Sequence, residues 1–407
     1  MTDHIPSDAP RLSQGEFIAL IAMLFATIAF SIDAMLPAEP AIAAAFTPDD
    51  PNRAKLVVGS FFLGMGIGTF LSGPLSDAYG RKRVMIWGGV VYSIAALICI
   101  FAQSLEVLLA ARVLQGIGGA GPRTVSLAMV RDLYKGREMA RIMSFAMMIF
   151  MVAPAAAPLL GQYIIHLAGW HAIFIAFIVF AVIAMSWLAI RQPETLPPAA
   201  RIPLSFKGLW AAGKELFSYR IVVVSILIQA LTMAVLVATI SSVQGIFKVE
   251  FDMEDAFPKW FALAAAVSAG ASFLNSKLVM TMGMRKVARL AFIGVLTVTV
   301  LHYGLMRLDV LQGNWRFAAF FLWLVSLFCM MGLTMGNLNA LAMEPVGNIA
   351  GFAASIMAAV STVVAVILST PIAQAFDGTH EPLVIGALCC ITPSLLLMRV
   401  LGVPSRV

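Results

Sequence analysis

Charge interrupts this chain so rarely that the sequence falls into twelve apolar runs, at roughly 17–37, 54–77, 84–103, 105–130, 140–165, 169–190, 220–245, 257–280, 287–306, 315–341, 346–375 and 382–401. Each reaches the ~20 residues that an α-helix needs to cross the hydrocarbon of a bilayer. No water satisfies a peptide group there, so such runs must be helices whose backbone hydrogen bonds are internal. Of the 407 residues, 61% are apolar and 12% charged, the latter about half the ~25% of soluble domains. A cytosolic enzyme, a disordered chain and a disulfide-stapled secreted module are thereby excluded. The pattern predicts an all-α polytopic membrane protein of twelve transmembrane helices, with the lipid bilayer as its partner.

The basic residues orient it. Arg11, Arg81, Lys82, Arg83, Arg131, Lys135, Arg137 and Arg141 fall in alternate loops, as do Arg191, Arg201, Lys207, Lys214, Arg220, Lys277, Arg285, Lys286, Arg289, Arg399 and Arg406; together they are 19 of the 27. The intervening loops hold six, and Arg112 and Arg123 lie inside spans. Cytoplasmic loops carry such an excess, so both termini are expected in the cytoplasm, and the net charge of +6 needs no nucleic acid. The first run lacks the short apolar stretch and small-residue cleavage site of a signal peptide and is expected to remain as the first helix. Cys99, Cys329, Cys389 and Cys390 sit in apolar runs without metal-ligand spacing and read as packing residues.

The longest polar interruption, Arg191 to Arg220, holds Pro193, Pro197, Pro198 and Pro203 and divides the chain near its midpoint. Within it Phe206, Leu209, Trp210, Gly213, Leu216 and Phe217 recur at helical spacing opposite Lys207, Lys214 and Glu215, which predicts a short helix lying in the membrane interface. An offset of 203 residues carries Leu75, Gly80 and Val84 onto Leu278, Gly283 and Val287. The expected organisation is a six-helix bundle at 1–190, a linker at 191–219 and a second bundle at 220–407, related by a pseudo-two-fold axis along the membrane normal.

Gly73-Pro74-Leu75-Ser76-Asp77-Ala78-Tyr79-Gly80-Arg81-Lys82-Arg83, between spans two and three, closely resembles the loop signature of the major facilitator superfamily. Arg112-Val-Leu-Gln115-Gly116-Ile-Gly118 is similar to that superfamily's helix 4 motif. In helix 5, Ala153, Ala157, Pro158 and Gly161 follow its antiporter pattern loosely, with alanines where glycines lead. Segments such as SIDAMLPAEP, AMVRDLY, GWHAIF, ETLPP and GNLNALAMEP look like the Bcr/CflA branch of drug:proton antiporters, the bicyclomycin and chloramphenicol exporters. The resemblance implies a cytoplasmic latch of Gly73, Asp77, Gly80, Arg81 and Asp132, and ties Arg112 to proton coupling. It also implies a cavity lined by helices 1, 4, 7 and 10, with no cofactor and the proton gradient as energy source.

Asp77 at the membrane face can accept hydrogen bonds from free amides at another helix N-terminus, and helix 11 is the natural candidate. Ser60, Gly64, Gly68 and Ser72 on helix 2, and Gly347, Gly351 and Ser355 on helix 11, predict a close sliding contact between the halves. Met280 stands where the repeat would place a second Asp77, so the second half is expected to lack a latch.

Asp33 is the one acid well inside an apolar run, and intramembrane acids mark ion pathways. Arg112, Gln115, Gly119, Pro122 and Arg123 share one face of helix 4. Asp33 lies about five residues and Arg112 about seven from the outer ends of their helices, so at 1.5 Å per residue an ion pair, direct or through water, is permitted. Burial favours the neutral acid and a nearby guanidinium favours the carboxylate, so moving the Arg switches the proton on or off. Arg123 is either a gate residue or a ligand for an anionic substrate group. Gln229 and Asn337 are further cavity candidates. No H-E-x-x-H pair or Gly-flanked Ser points to an enzyme. The expectation is a monomeric proton-coupled exporter of small amphiphiles; the alternative is a carrier for one specific metabolite on the same fold.

Overall fold

Helix forms wherever the apolar runs lie. The computed structural model describes residues 12–346 and 350–401, apart from the side chains at 137, 140, 144, 147–152, 206, 208 and 350; Arg11, Gly347 and Arg406 lie outside the described residues. The spans are α1 (Gln14–Asp33) continued by α2 (Glu39–Phe46), then α3 (Leu56–Tyr79), α4 (Arg81–Ile100), α5 (Leu105–Leu133), α6 (Gly136–Ala168) and α7 (His171–Arg191). After a short α8 (Phe206–Phe217) come α9 (Arg220–Gly245), α10 (Phe257–Met282), α11 (Met284–Arg307), α12 (Asn314–Met343), α13 (Ala350–Gln374) and α14 (Glu381–Val400). On length and composition ten of these spans could cross a bilayer unaided; α5, with arginines inside it, and α6 complete the twelve. The expected short helix in the linker is formed as α8, with Trp210 79% exposed and Leu216 fully buried.

The first span differs from the expected 17–37. Pro37 falls in the first turn of a short 3-10 segment, Leu36–Ala38, where a missing N–H costs nothing, so the chain kinks and resumes as helix to Phe46. Asp33 therefore sits beside an internal break and not near an outer end. Counted from the other ends, it is 19 residues beyond Gln14 and Arg112 is 21 before Leu133, about 28 and 31 Å, so their depths still agree. Glu39 joins Asp33 as a buried acid, paired with the equally buried Lys55 at 2.9 Å.

The sequence repeat reappears as a repeated turn. Gly80 between α3 and α4 has φ +99° and ψ 149°, and its counterpart Gly283 between α10 and α11 has φ +80° and ψ 154°, a conformation that side chains resist. The second half does lack the latch: Met280 is 86% exposed and Arg285 meets Glu344 only at 3.7 Å.

Small residues let α3 pack on two sides, not the one expected. A Cβ on Gly64 would overlap the Val113 carbonyl and one on Gly68 would lie 2.8 Å from the Ile117 Cα, so these glycines serve the contact with α5 inside the first half. The contact between halves uses Gly59, Gly66 and Gly73, which face Val366, Val363 and Ser355 of α13. Residues two apart differ by about 200° around a helix, which puts the two sets on opposite faces.

Away from the basic loops, on what is here called the far face, Asn52 donates to the backbone carbonyls of Gln374 (3.1 Å) and Phe376 (2.6 Å), and the Gln374 amide donates back at 2.7 Å. In the second half Arg316, Glu250, His380 and His302 form a chain with links of 2.7, 2.7 and 2.9 Å. The Glu250 carboxylate accepts from His380 Nδ1, and the Nε2 atoms of His380 and His302 share a hydrogen bond. α10 is buried only at its far-face end, at Phe257, Pro258, Phe261 and Ala264, among the described residues. The halves are thus tied at the far face, and α10 is left uncovered toward the basic one. Gly64→Val is expected to lower the melting temperature of the solubilised protein by several degrees, since overpacking costs ~1–3 kcal/mol. Gly121→Ala, with nothing within 4 Å of the added Cβ, should leave it unchanged, and equal melting of the two variants would refute this packing.

Candidate functional site

The Arg112 guanidinium is fully buried, and α1, α3 and α5 converge on it. It donates to the Ser31 carbonyl at 3.2 Å, to Gln115 Oε1 at 2.8 Å and more weakly to the Val57 carbonyl at 3.4 Å, and it lies 4.5 Å above the Phe61 ring. Ser31 gives its own proton to the Thr27 carbonyl at 2.6 Å, which makes Tyr92 the donor in the 2.5 Å contact between their hydroxyls. Every contact fixes a cation without an anion.

Two residues beyond Ser31, Asp33 is 5% exposed and makes no hydrogen bond or ion pair with a described residue. The direct Asp33–Arg112 pair that the sequence permits is not formed, because the break at Pro37 leaves Asp33 at the end of α1 while Arg112 takes the carbonyl two residues before it. Gly161 of the loose antiporter pattern explains itself here: a Cβ on it would lie 3.0 Å from Ala34 Cα, so α6 meets the chain at backbone contact immediately after Asp33. Ala157 and Pro158 are buried one turn away, and Ala153 is half-buried. An enclosed carboxyl, an enclosed guanidinium bonded to a carbonyl two residues away and a proline-containing helix packed beside the carboxyl can gain or lose a proton and rearrange in response.

At the basic face the latch residues come together. Arg81 bonds to Asp77, to Ser76 Oγ at 2.7 Å and to Asp132 at 3.1 Å. Asp77, Arg81, Gly73, Gly351 and Ser355 line a common cavity of about 250 Å³ between the halves, while the amides of 347–349 that would cap onto Asp77 lie outside the described residues. Glu194 is the member that sequence reasoning missed. It accepts from the backbone amides of Arg81 (2.8 Å), Lys82 (3.2 Å), Thr195 (3.0 Å) and Leu196 (3.1 Å), and so caps α4 from the linker. Asp132 also takes a bond from Thr195 Oγ1 at 3.1 Å, and the Asp77 carbonyl one from the Ile202 amide at 3.1 Å. A Cβ on Gly80 would sit 2.5 Å from Glu194 Oε2, so glycine serves both the turn and its cap. The available signal was an acid just after a span, facing a helix whose first residue follows a glycine.

The remaining candidates divide. The Asn337 amide is spent on Asn275 Oδ1 and the Leu333 carbonyl, both at 2.8 Å, and so ties α12 to α10. Gln229 is 4% exposed with its Nε2 unpartnered, and the Gln115 Nε2 likewise. Arg123 stands apart from Arg112 on the same helix face and is exposed.

A profile of the Major Facilitator Superfamily matches residues 18–369. The chain is 29% identical over 396 residues to the bicyclomycin resistance protein homolog of Haemophilus influenzae, covering 93% of this chain and 94% of that one. It is 34% identical over 192 residues to a chloramphenicol resistance protein of Pseudomonas aeruginosa, covering 46% and 44%. Its fold matches a D-xylose–proton symporter with a TM-score of 0.76 at 14% identity, over 94% of this chain and 97% of that one. It also matches the human organic anion transporter MFSD10 with a TM-score of 0.69 at 17% identity, over 96% and 99%. These two likenesses concern the fold alone.

Glu194→Gln and Asp132→Asn are each expected to loosen the latch, and a maleimide should then label Thr124→Cys, placed in the same cavity, several-fold faster in a background without native cysteines. Unchanged labelling in both would remove the linker and α5 from the latch.

Proposed function

The chain belongs to the Major Facilitator Superfamily, and from that premise we propose that it is a proton-coupled exporter of amphiphilic drugs or related small molecules. It works by alternating access as a monomer in the bacterial cytoplasmic membrane, with both termini in the cytoplasm. One observation carries the coupling: Asp33 is enclosed, without a partner among the described residues, and next to the break in the first span. A carboxylate so enclosed costs several kcal/mol unless it is paired or protonated. Holding a proton, Asp33 leaves Arg112 on the Ser31 carbonyl. Losing it, Asp33 creates the only strong attraction within reach of Arg112, and the guanidinium moves toward it. Because α1, α3, α5 and α6 meet there, that movement is transmitted to the gates.

Export of drugs, in preference to carriage of one metabolite, is supported by the resistance proteins among the relatives, one of them alike over nearly the whole chain. No cofactor is required, since the proton gradient supplies the energy. The latch at Asp77, Arg81 and Asp132 closes the cytoplasmic side, and Asn52, Gln374 and Lys55 close the outer one.

In proteoliposomes loaded with chloramphenicol, a pH gradient is expected to drive flux in the wild type and, at least tenfold less, in Asp33→Asn, while exchange without a gradient persists. Full gradient-driven flux in Asp33→Asn would overturn the assignment of the proton site. A susceptible host that gains no resistance to any of a panel of drugs on overexpression would turn the reading toward a metabolite carrier.

A further inference from the structure

Arg123 is a cation within a span that has no counter-ion among the described residues. Helical geometry places it at 160° when Val107 of α5 is set to zero, within about 40° of Arg112, Gly116 and Gly119, and opposite Leu114. Those three neighbours are buried, as are Ser126 and Val130 further along the same face, whereas Val107 and Leu114 are exposed on the lipid side. On that inward face Arg123 alone is exposed. An exposed side chain on a face otherwise buried, turned away from the lipid side of its helix, lines an opening within the bundle.

The other basic side chains enclosed in the bundle are compensated. Lys55 has Glu39 at 2.9 Å, and Arg112 has two carbonyls, Gln115 and the Phe61 face. Arg81, at the basic face, has Asp77 and Asp132. Arg123 makes no hydrogen bond, ion pair or ring contact with any described residue. No described residue of the facing half meets it. A charge inside a span with no partner among the described residues is free to meet one that comes and goes.

We propose that Arg123 binds an anionic group of the transported molecule where it carries one, so that the carrier takes amphiphiles bearing a single carboxylate, sulfonate or phosphonate in preference to their neutral counterparts. The inference rests on the reading of the chain as an exporter of small amphiphiles and adds their charge. A guanidinium suits the role because its planar fork meets such groups with two parallel hydrogen bonds and stays charged throughout. Arg123 lies ten residues before Leu133, about 15 Å from that end of α5, against about 28 Å for Asp33 from the same end of α1. That offset of about 13 Å along the helix axes places a bound anion and the proton on Asp33 in separate subsites.

The test is equilibrium binding to the full chain in phosphatidylcholine nanodiscs, with no anionic lipid to compete and no gradient, using naphthalene-2-carboxylate and its neutral isostere naphthalene-2-carboxamide. The wild type is expected to bind the carboxylate at least tenfold more tightly than the amide. Arg123→Gln should lose that preference while binding the amide as before, which reports an intact cavity, and Arg123→Lys should keep part of it. Equal affinity of the wild type for both probes, or a preference that survives in Arg123→Gln, would overturn the proposal. Because no gradient is applied, a failure of proton coupling at Asp33 leaves this outcome untouched.

Discussion

A polar group in hydrocarbon has no water to turn to, and the charged interior of this protein is arranged around that cost. Arg112 cannot release its proton, so the fold surrounds it with the Ser31 and Val57 carbonyls, Gln115 and an aromatic face. Lys55 and Glu39 cancel each other, and at the far face Arg316, Glu250 and two histidines form a continuous chain. A carboxyl has a further escape, since it can take up a proton. Asp33 is the enclosed group left with that escape alone, and the proposed coupling follows from it.

The second constraint is steric. α3 lies between α5 of its own half and α13 of the other, and glycines on opposite faces serve the two contacts. Toward α5 the backbones touch, with Gly64 and Gly68 against Val113 and Ile117 and with Gly116 returning the contact on Met65; such a joint has no room to slide. Toward α13 the glycines meet chiefly side-chain atoms of Val366, Val363 and Ser355, with a single backbone approach where a Cβ on Gly66 would lie 3.3 Å from the Ala359 carbonyl, a looser surface on which two bodies can shift. Fixed packing within a half and looser packing between halves are what a rocking motion needs, and the latch at Arg81, pinned by Glu194 from the linker, sits at the end of the looser seam.

The distribution of charge made the spans, their orientation and the repeat legible, because each is one-dimensional. Gly80 and Gly283 could be matched by counting, and their shared positive φ bears out the duplication. Three features were misread for want of a third dimension. Pro37 reads as a terminator in sequence but becomes the first turn of a continuing helix once Glu39 finds Lys55. The stripe at Gly64 and Gly68 could face either neighbour, and only the position of α5 assigns it. Glu194, in a proline-rich linker, is 113 residues from the amide of Arg81 that it caps, beyond the reach of any local pattern.

Residue order alone established that this is a helical membrane protein of two related halves, because burial in lipid obliges each apolar run to satisfy its own backbone. It also singled out Asp33, Arg112 and Arg123, since charge inside such a run is costly enough to demand a reason. Which of these charges found partners was settled by packing. Arg112 and Asp33 are similarly deep, yet one is clothed in carbonyls and the other has no partner among the described residues, a difference that arises where α1 breaks, Arg112 takes the Ser31 carbonyl and α6 closes on Ala34 at backbone contact. Hydrogen bonds act over about 3 Å, and no spacing along a chain encodes which distant atoms will come that close.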